Sequence, residues 1–184
     1  DLTDALRADQ RRDGGENDSP GRNLSRFIAD LADGREGGLA VRQIWRTDRM
    51  GRGGDQIPFL EKGYPAIRFS VAVEDYDHQH QDVRTQDGTA YGDTIGEMDF
   101  AYLARLTQLN VAVASALARA TMPPAPTAAA AVQTFTTLAW AEVPGATGYT
   151  VWHRRTDEPY WRDEPVIANV VATSARLEGV RGDD

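Results

Sequence analysis

The chain has 184 residues, 41% of them hydrophobic and 26% charged, a globular composition long enough for one ordinary domain and a small second one. Its 28 acidic and 20 basic residues leave a formal net charge of −8, which repels nucleic-acid phosphates and anionic headgroups and argues against either as a partner. With no cysteine, disulfides, thiolate nucleophiles and cysteine-held zinc or iron–sulfur sites are excluded, so any metal must be bound by His, Asp or Glu. No apolar run approaches the roughly 18 residues of a membrane span. The opening "DLTDALRADQRRDGGEND" has neither an apolar signal core nor a transit-peptide character, and reads as the interior of a longer chain.

In chain order, "DSPGRNLSRFIADLAD" predicts an amphipathic helix, with Ser19 as N-cap, Pro20 at the first helical position, and Leu24, Phe27, Ile28 and Leu31 at helical spacing. "LAVRQIWR", Leu39 to Arg46, predicts a strand. After the glycine-rich "RMGRGGD", Asp55 is placed to cap a short helix through "QIPFLEKG", with Gly63 as its stop. The apolar, β-prone "PAIRFSVAV", Pro65 to Val73, has the pattern of a strand buried in a sheet. It leads directly into "EDYDHQHQDVR", which holds two of the three histidines. A long helix follows, with Phe100, Leu103, Leu106, Asn110, Val113 and Leu117 near one face.

"TMPPAPTAAAA" has no periodicity and no charge and predicts a semi-rigid linker at residues 121–131. Beyond it, "TFTTLAWAEV", "GYTVWHRRT" and "ATSARLEGV" are short β-rich runs separated by turn signals, the pattern of a small all-β sandwich over residues 132–184. The fold class expected is therefore α/β for residues 1–120, with a central mostly parallel or mixed sheet flanked by helices, followed by a small β unit with few contacts across the linker.

A cysteine-free zinc site needs nitrogen and carboxylate ligands converging from several elements, because neighbouring residues cannot enclose the ion alone. His78 and His80 cannot form a whole site, and residues 1–120 hold no other histidine. By spacing alone, a solvated polar loop remains the alternative. Its place after an apolar strand favours function, since ligands of open α/β sheets sit beyond the carboxyl ends of strands.

The runs "ENDSP", "DRMGRGGDQIPFLEKGYPAIRF" and "EDYDHQHQDVRTQDGTAYGDTIGEMDFAYLARLTQLN" together resemble the C-terminal half of the zinc aminopeptidase-like exopeptidases, the twenty-eighth metallopeptidase family. The resemblance spans about Glu16 to Ala118. It implies a co-catalytic pair of zinc ions on an α/β sheet, a bridging water that attacks the peptide carbonyl, and a glutamate as general base. It also implies a histidine ligand in the loop before the final long helix. His80 is the favoured match, and His78, four residues before Asp82, is the alternative.

Two departures accompany the match. The family's upstream ligands, a His-x-Asp pair, adjacent glutamates and a further aspartate, have no counterpart here, so the chain reads as a half-site whose upstream half is a missing partner. In "GGDQIPF" relatives usually carry histidine where this chain has Gln56. Asp55, Gln56 and Asp82 are assigned to shaping the site, and Tyr76 to an oxyanion contact of the kind a tyrosine makes in some relatives.

Other signals carry less. "GRGGD" lacks the Lys-Ser or Lys-Thr of a phosphate loop. Arg181-Gly182-Asp183 is a chance tripeptide, and His153 reads as a solvent-facing strand residue. Trp140 and Tyr149, in "LAWAEVPGATGYTVWHRR", resemble core positions of fibronectin type III modules, here incomplete. The expected function is zinc-dependent removal of an N-terminal residue from peptides by the parent protein, with little or no turnover by this chain alone. The competing expectation is a non-catalytic interaction or spacer protein on a vestigial scaffold. By analogy with module-bearing bacterial enzymes, the expected compartment is secreted or periplasmic.

Overall fold

A computed structural model describes residues 2–6, 16–44, 54–130 and 132–180. After a helical stretch at residues 2–6, helix α1 spans Pro20–Asp33. Its start is where local chemistry puts it. The Ser19 hydroxyl accepts from the Arg22 amide at 3.3 Å, and Pro20 takes a position whose N–H would have no helical partner. Helix α2 is one short turn, Ile57–Glu61, and α3 runs Phe100–Arg119, capped by Asp99 accepting from the Tyr102 amide at 2.8 Å.

The first unit is held by α1 packing on α3. Ile28 and Ala32 of α1 meet Leu109 and Val113 of α3, and Leu24, Leu31, Val41, Ile67 and Phe69 pack around them. The buried stripe of α3 is Tyr102, Leu106, Leu109 and Val113, wholly or partly covered at i, i+4, i+7, i+11. The expected face is thus rotated: Phe100, Leu103, Asn110 and Leu117 are exposed, and only Leu106 and Val113 of that set turn inward.

The largest difference from the sequence reading is in the sheet. The described part of the Leu39–Arg46 run, residues 39–44, and the Pro65–Val73 run form no strand. Each lies against the α1–α3 core through Val41, or through Ile67 and Phe69. A strand is defined by a hydrogen-bonded neighbour, and these runs find none among the described residues; their apolar side chains are used in packing on helices instead. The chain is mixed α/β, with three small antiparallel sheets and no central parallel sheet among the described residues. Asp55 does not cap α2. The cap position is Gln56, which makes no side-chain cap bond, while Gly63 does lie just past the end at φ +80°.

The first sheet is a hairpin, β1 (Arg84–Gln86) with β2 (Thr89–Tyr91), turned by Asp87 and Gly88 at φ +52° and +83°. Two positive φ values in succession match the right-handed twist of the strands, and Asp-Gly is the pair that adopts them most readily. The second sheet orders β3 (Thr127–Ala129), β4 (Phe135–Ala139) and β7 (Ser174–Glu178) as β3-β4-β7, and the third pairs β5 (Tyr149–Val151) with β6 (Ile167–Val170). β3 lies inside the expected linker. Its Thr-Ala-Ala has little strand propensity, so pairing with Thr137–Ala139 makes it a strand, and the β unit begins near Thr127. Trp140 and Tyr149 pack edge to face at 5.2 Å, and the Val143 N–H donates to the Tyr149 hydroxyl at 2.9 Å.

The two units also touch through the segment after β5. Arg26 of α1, fully buried at 0% exposure, donates from Nε to the Pro159 carbonyl at 2.6 Å. Among the described residues this contact is set against the expectation of few contacts across the linker. The glycine-rich run at residues 49–53, Trp45, and the Arg181-Gly182-Asp183 tripeptide lie outside the described residues.

Candidate metal-ligand loop

Residues 74–83 form an irregular loop between the Ile67–Phe69 packing segment and β1. It is organised by its own acidic side chains. The Asp77 amide donates to Asp75 Oδ1 at 3.0 Å, an Asx-type turn that leaves Asp75 Oδ2 for the His78 ring, with Nδ1 at 2.9 Å. His78 Nε2 then faces Glu97 Oε1 at 3.9 Å, from the 3₁₀ turn Ile95–Glu97 that precedes α3. Both effects favour the imidazolium. The Asp75 hydrogen bond, with Glu97 and Asp77 nearby, raises the His78 pKa above its ordinary value, and the same bond to His78 lowers the Asp75 carboxyl.

His80 differs in every respect. It is exposed, its backbone is left-handed at φ +56°, and its ring makes no hydrogen bond or ion pair among the described residues. Histidine tolerates this region better than most side chains, and such a residue persists only where its surroundings hold it. The holding groups are backbone. The Gly92 amide donates to the Asp77 carbonyl and the Asp93 amide to the Gln81 carbonyl, each at 3.1 Å, so the exit of the hairpin brackets the two histidines. Gly92 sits at φ +149°, where a Cβ would lie 3.1 Å from Val83 Cγ2 and 3.2 Å from Val83 Cα. Gln81 Nε2 donates to the Tyr76 carbonyl at 3.0 Å, and Arg84 reaches back to Gln81 Oε1 at 3.0 Å while its guanidinium lies 4.1 Å from the Tyr91 ring centre.

The other expected site residues disperse. Tyr76 is half-exposed and its hydroxyl donates to Glu74 Oε2 at 2.9 Å, which commits that proton locally. Asp55 and Gln56 belong to the entry of α2, and no hydrogen bond or ion pair joins them to the histidine loop among the described residues. Asp82 is exposed, with its carbonyl accepting from Arg84 Nη1 at 3.3 Å. Asp75 and Glu97, which the sequence reading passes over, are the carboxylates that meet an imidazole. Asp75 announces itself by its i, i+3 spacing from His78; Glu97 has no local signal.

The described residues do not by themselves fit a zinc ion. A catalytic zinc takes three protein ligands, and no group of three His, Asp or Glu side chains able to hold a metal occurs among the described residues. No described helix is long and apolar enough to cross a membrane.

Comparison with known proteins bears on this loop. Over 107 residues, 58% of this chain, it is 52% identical to a protein of Leptosphaeria maculans named "probable zinc metalloprotease", of which that stretch is 25%. Proteins with the same name from Pyrenophora tritici-repentis and Pyricularia oryzae are each 40% identical, over 163 and 171 residues, or 85% and 86% of this chain. The chain spans 37% and 34% of those two relatives, about a third of their length. No protein-family model and no solved structure matches the chain.

Proposed function

We propose that this chain is part of a zinc-dependent peptidase, an exopeptidase of the aminopeptidase type acting on peptides, and that it brings His78 to the metal. The observation that carries the reading is the posture of His78: Nδ1 is tied to Asp75 at 2.9 Å, and Nε2 is turned toward a second carboxylate. Metal-binding histidines are oriented by a carboxylate on the other ring nitrogen in just this manner, and loss of that partner costs about 10–100-fold in affinity. The similarity to proteins named zinc metalloproteases supports the same reading. His80, the favoured choice by sequence, is second to His78 because nothing orients its ring. Further ligands and the general base would come from other segments of the protein. Tyr76 and Asp82 belong to the ligand loop itself, whereas Asp55 and Gln56, at the entry of α2, would shape the site only from its wall.

Residues 1–120 are read as part of the peptidase domain and residues 132–184, joined by β3, as a fibronectin type III-like module. Two sets of antiparallel strands and the Trp140–Tyr149 contact support the module. An exported protein, secreted or periplasmic, suits this pairing. Calorimetric titration with zinc tests the ligand. Weak binding is expected for the chain and for His80→Ala, and none for His78→Ala. The reverse pattern would return the role to His80, and equal binding by both variants would remove the loop from the metal altogether. The activity is tested on the longer protein with an aminoacyl-anilide, whose hydrolysis should stop with a chelator and return with zinc.

A second reading, a non-catalytic interaction or spacer protein, is favoured by one observation, the lack of a three-ligand group among the described residues. Chelator-insensitive behaviour of the longer protein, with no peptide hydrolysis, would select it.

A further inference from the structure

The contact between α1 and the segment after β5 is built from unusual materials. Arg26 is fully buried, yet among the described residues each hydrogen bond it makes goes to a neutral oxygen: Nε to the Pro159 carbonyl at 2.6 Å, Nη1 to Asn23 Oδ1 at 2.9 Å, and Nη2 to Asn17 Oδ1. Asn17 donates in turn from Nδ2 to the Glu158 carbonyl at 3.0 Å and to the Thr156 carbonyl. Within the loop, Arg154 Nη1 holds the carbonyls of Arg155 and Glu158, each at 2.7 Å. Carbonyls at 155, 156, 158 and 159 are thus all directed at side-chain donors, and those of 156, 158 and 159 at donors from the other unit.

A guanidinium is costly to remove from water without a carboxylate bonded to it; here the cations Arg154 and Arg22 add to that cost, and the weaker influences of Asp18 and Asp30 offset part of it. Nothing in α1 requires the burial. The aliphatic core uses the opposite residues, Ile28 and Ala32. What the arrangement gains is specificity: the planar guanidinium donates to the loop through Nε and holds Asn23 and Asn17 through Nη1 and Nη2, so that the Asn17 amide is itself aimed at the loop carbonyls. We infer that the 156–159 loop is a docking latch, received by Asn17 and Arg26, which makes the β module a fixed part of the first unit. The partner of this α1 surface is the chain's own module, and the module is not a tethered spacer. The inference does not depend on zinc or on the peptidase reading.

The full chain carries its own reporters. Three of the four tryptophans, Trp140, Trp152 and Trp161, lie in the β module, while the long helices α1 and α3 lie in the first unit. Denaturant unfolding followed by tryptophan fluorescence and by helical circular dichroism should give coincident transitions, because docked units unfold together. Arg26→Met, which keeps the aliphatic bulk, should pull the two transitions apart. Separate transitions in the unaltered chain, or coincident and unshifted ones in Arg26→Met, would overturn the latch. Should Arg26→Met fail to fold, Asn17→Ala in a chain with a specific protease sequence inserted after Thr121 decides the matter. After cleavage, the halves of the otherwise unaltered chain should co-elute on gel filtration and those of Asn17→Ala should separate. Halves that part without the substitution, or that stay together with it, count against the inference.

Discussion

The Asp75 carboxylate grips the His78 ring at Nδ1, 2.9 Å away and three residues on in the chain. That bond raises the His78 pKa above 6.5 and lowers the Asp75 pKa below 3.8. The His78 contribution to holding the loop is complete below pH 6.5 and is lost as pH rises through its raised folded value. The Asp75 contribution is complete above pH 3.8 and is lost as pH falls through its lowered folded value. The pair is therefore fully formed between those two limits. By proton NMR, the His78 ring should titrate above the ordinary imidazole value, and Asp75→Asn should bring it down toward that value. A His78 midpoint left unchanged by Asp75→Asn would contradict the geometry. Zinc competes with the same proton, so its uptake by His78 should fade at a higher pH than an unpaired imidazole would allow.

Gly92→Ala should disturb the loop from outside it. The substitution meets both a left-handed backbone and the Val83 contacts at 3.1 and 3.2 Å, and it strains the amide that holds the Asp77 carbonyl. A loss of about 1–3 kcal/mol is expected, with faster amide exchange from Gln79 to Gln81. Gly88→Ala has open space around its Cβ and should cost only the backbone penalty, about 1 kcal/mol.

The caps of the two long helices should be separable from their packing. Ser19→Ala removes the acceptor of the Arg22 amide and Asp99→Ala that of the Tyr102 amide, each worth about 1 kcal/mol. Asp99→Asn, which keeps an acceptor oxygen, should retain most of the stability in a thermal melt. A melt of Asp99→Ala indistinguishable from the unaltered chain would show that the cap is idle.

Leu109, only 3% exposed, sits between α1 and α3. Leu109→Ala should lower stability by about 3 kcal/mol through lost burial and the cavity left behind. Leu117→Ala, on the exposed shoulder of the same helix, should cost well under half of that. Equal losses would mean that the expected face, not the observed one, forms the core.

What was legible in the sequence was what is local. Ser19 and Pro20 mark a helix start because capping needs only neighbours, and Asp87-Gly88 carries a hairpin signal of the same kind that the reading passes over. Pro65 to Val73 misleads because apolar β-prone residues suit a buried strand and a packing segment equally, and only a distant partner decides between them. Thr127–Ala129 errs the other way, a strand made wholly by its neighbour. The histidine loop is visible as composition, but which imidazole is oriented depends on Asp75 and on Glu97, the latter brought in by a separate turn. Arg26 looks like an ordinary polar-face residue, since its burial comes from a loop 133 positions away.

The two amide bonds from Gly92 and Asp93 close a ring of backbone around the histidines. Fixing such a segment costs on the order of 1–2 kcal/mol per residue in lost chain entropy. Here the hairpin and its tight turn meet that cost during folding, before any ion arrives. A visiting cation would therefore find the loop already arrested, and its affinity would be limited by how few donors it meets and not by the disorder it must remove. Adding one well-placed carboxylate beside His78 should then strengthen cation capture more than any change that stiffens the loop further.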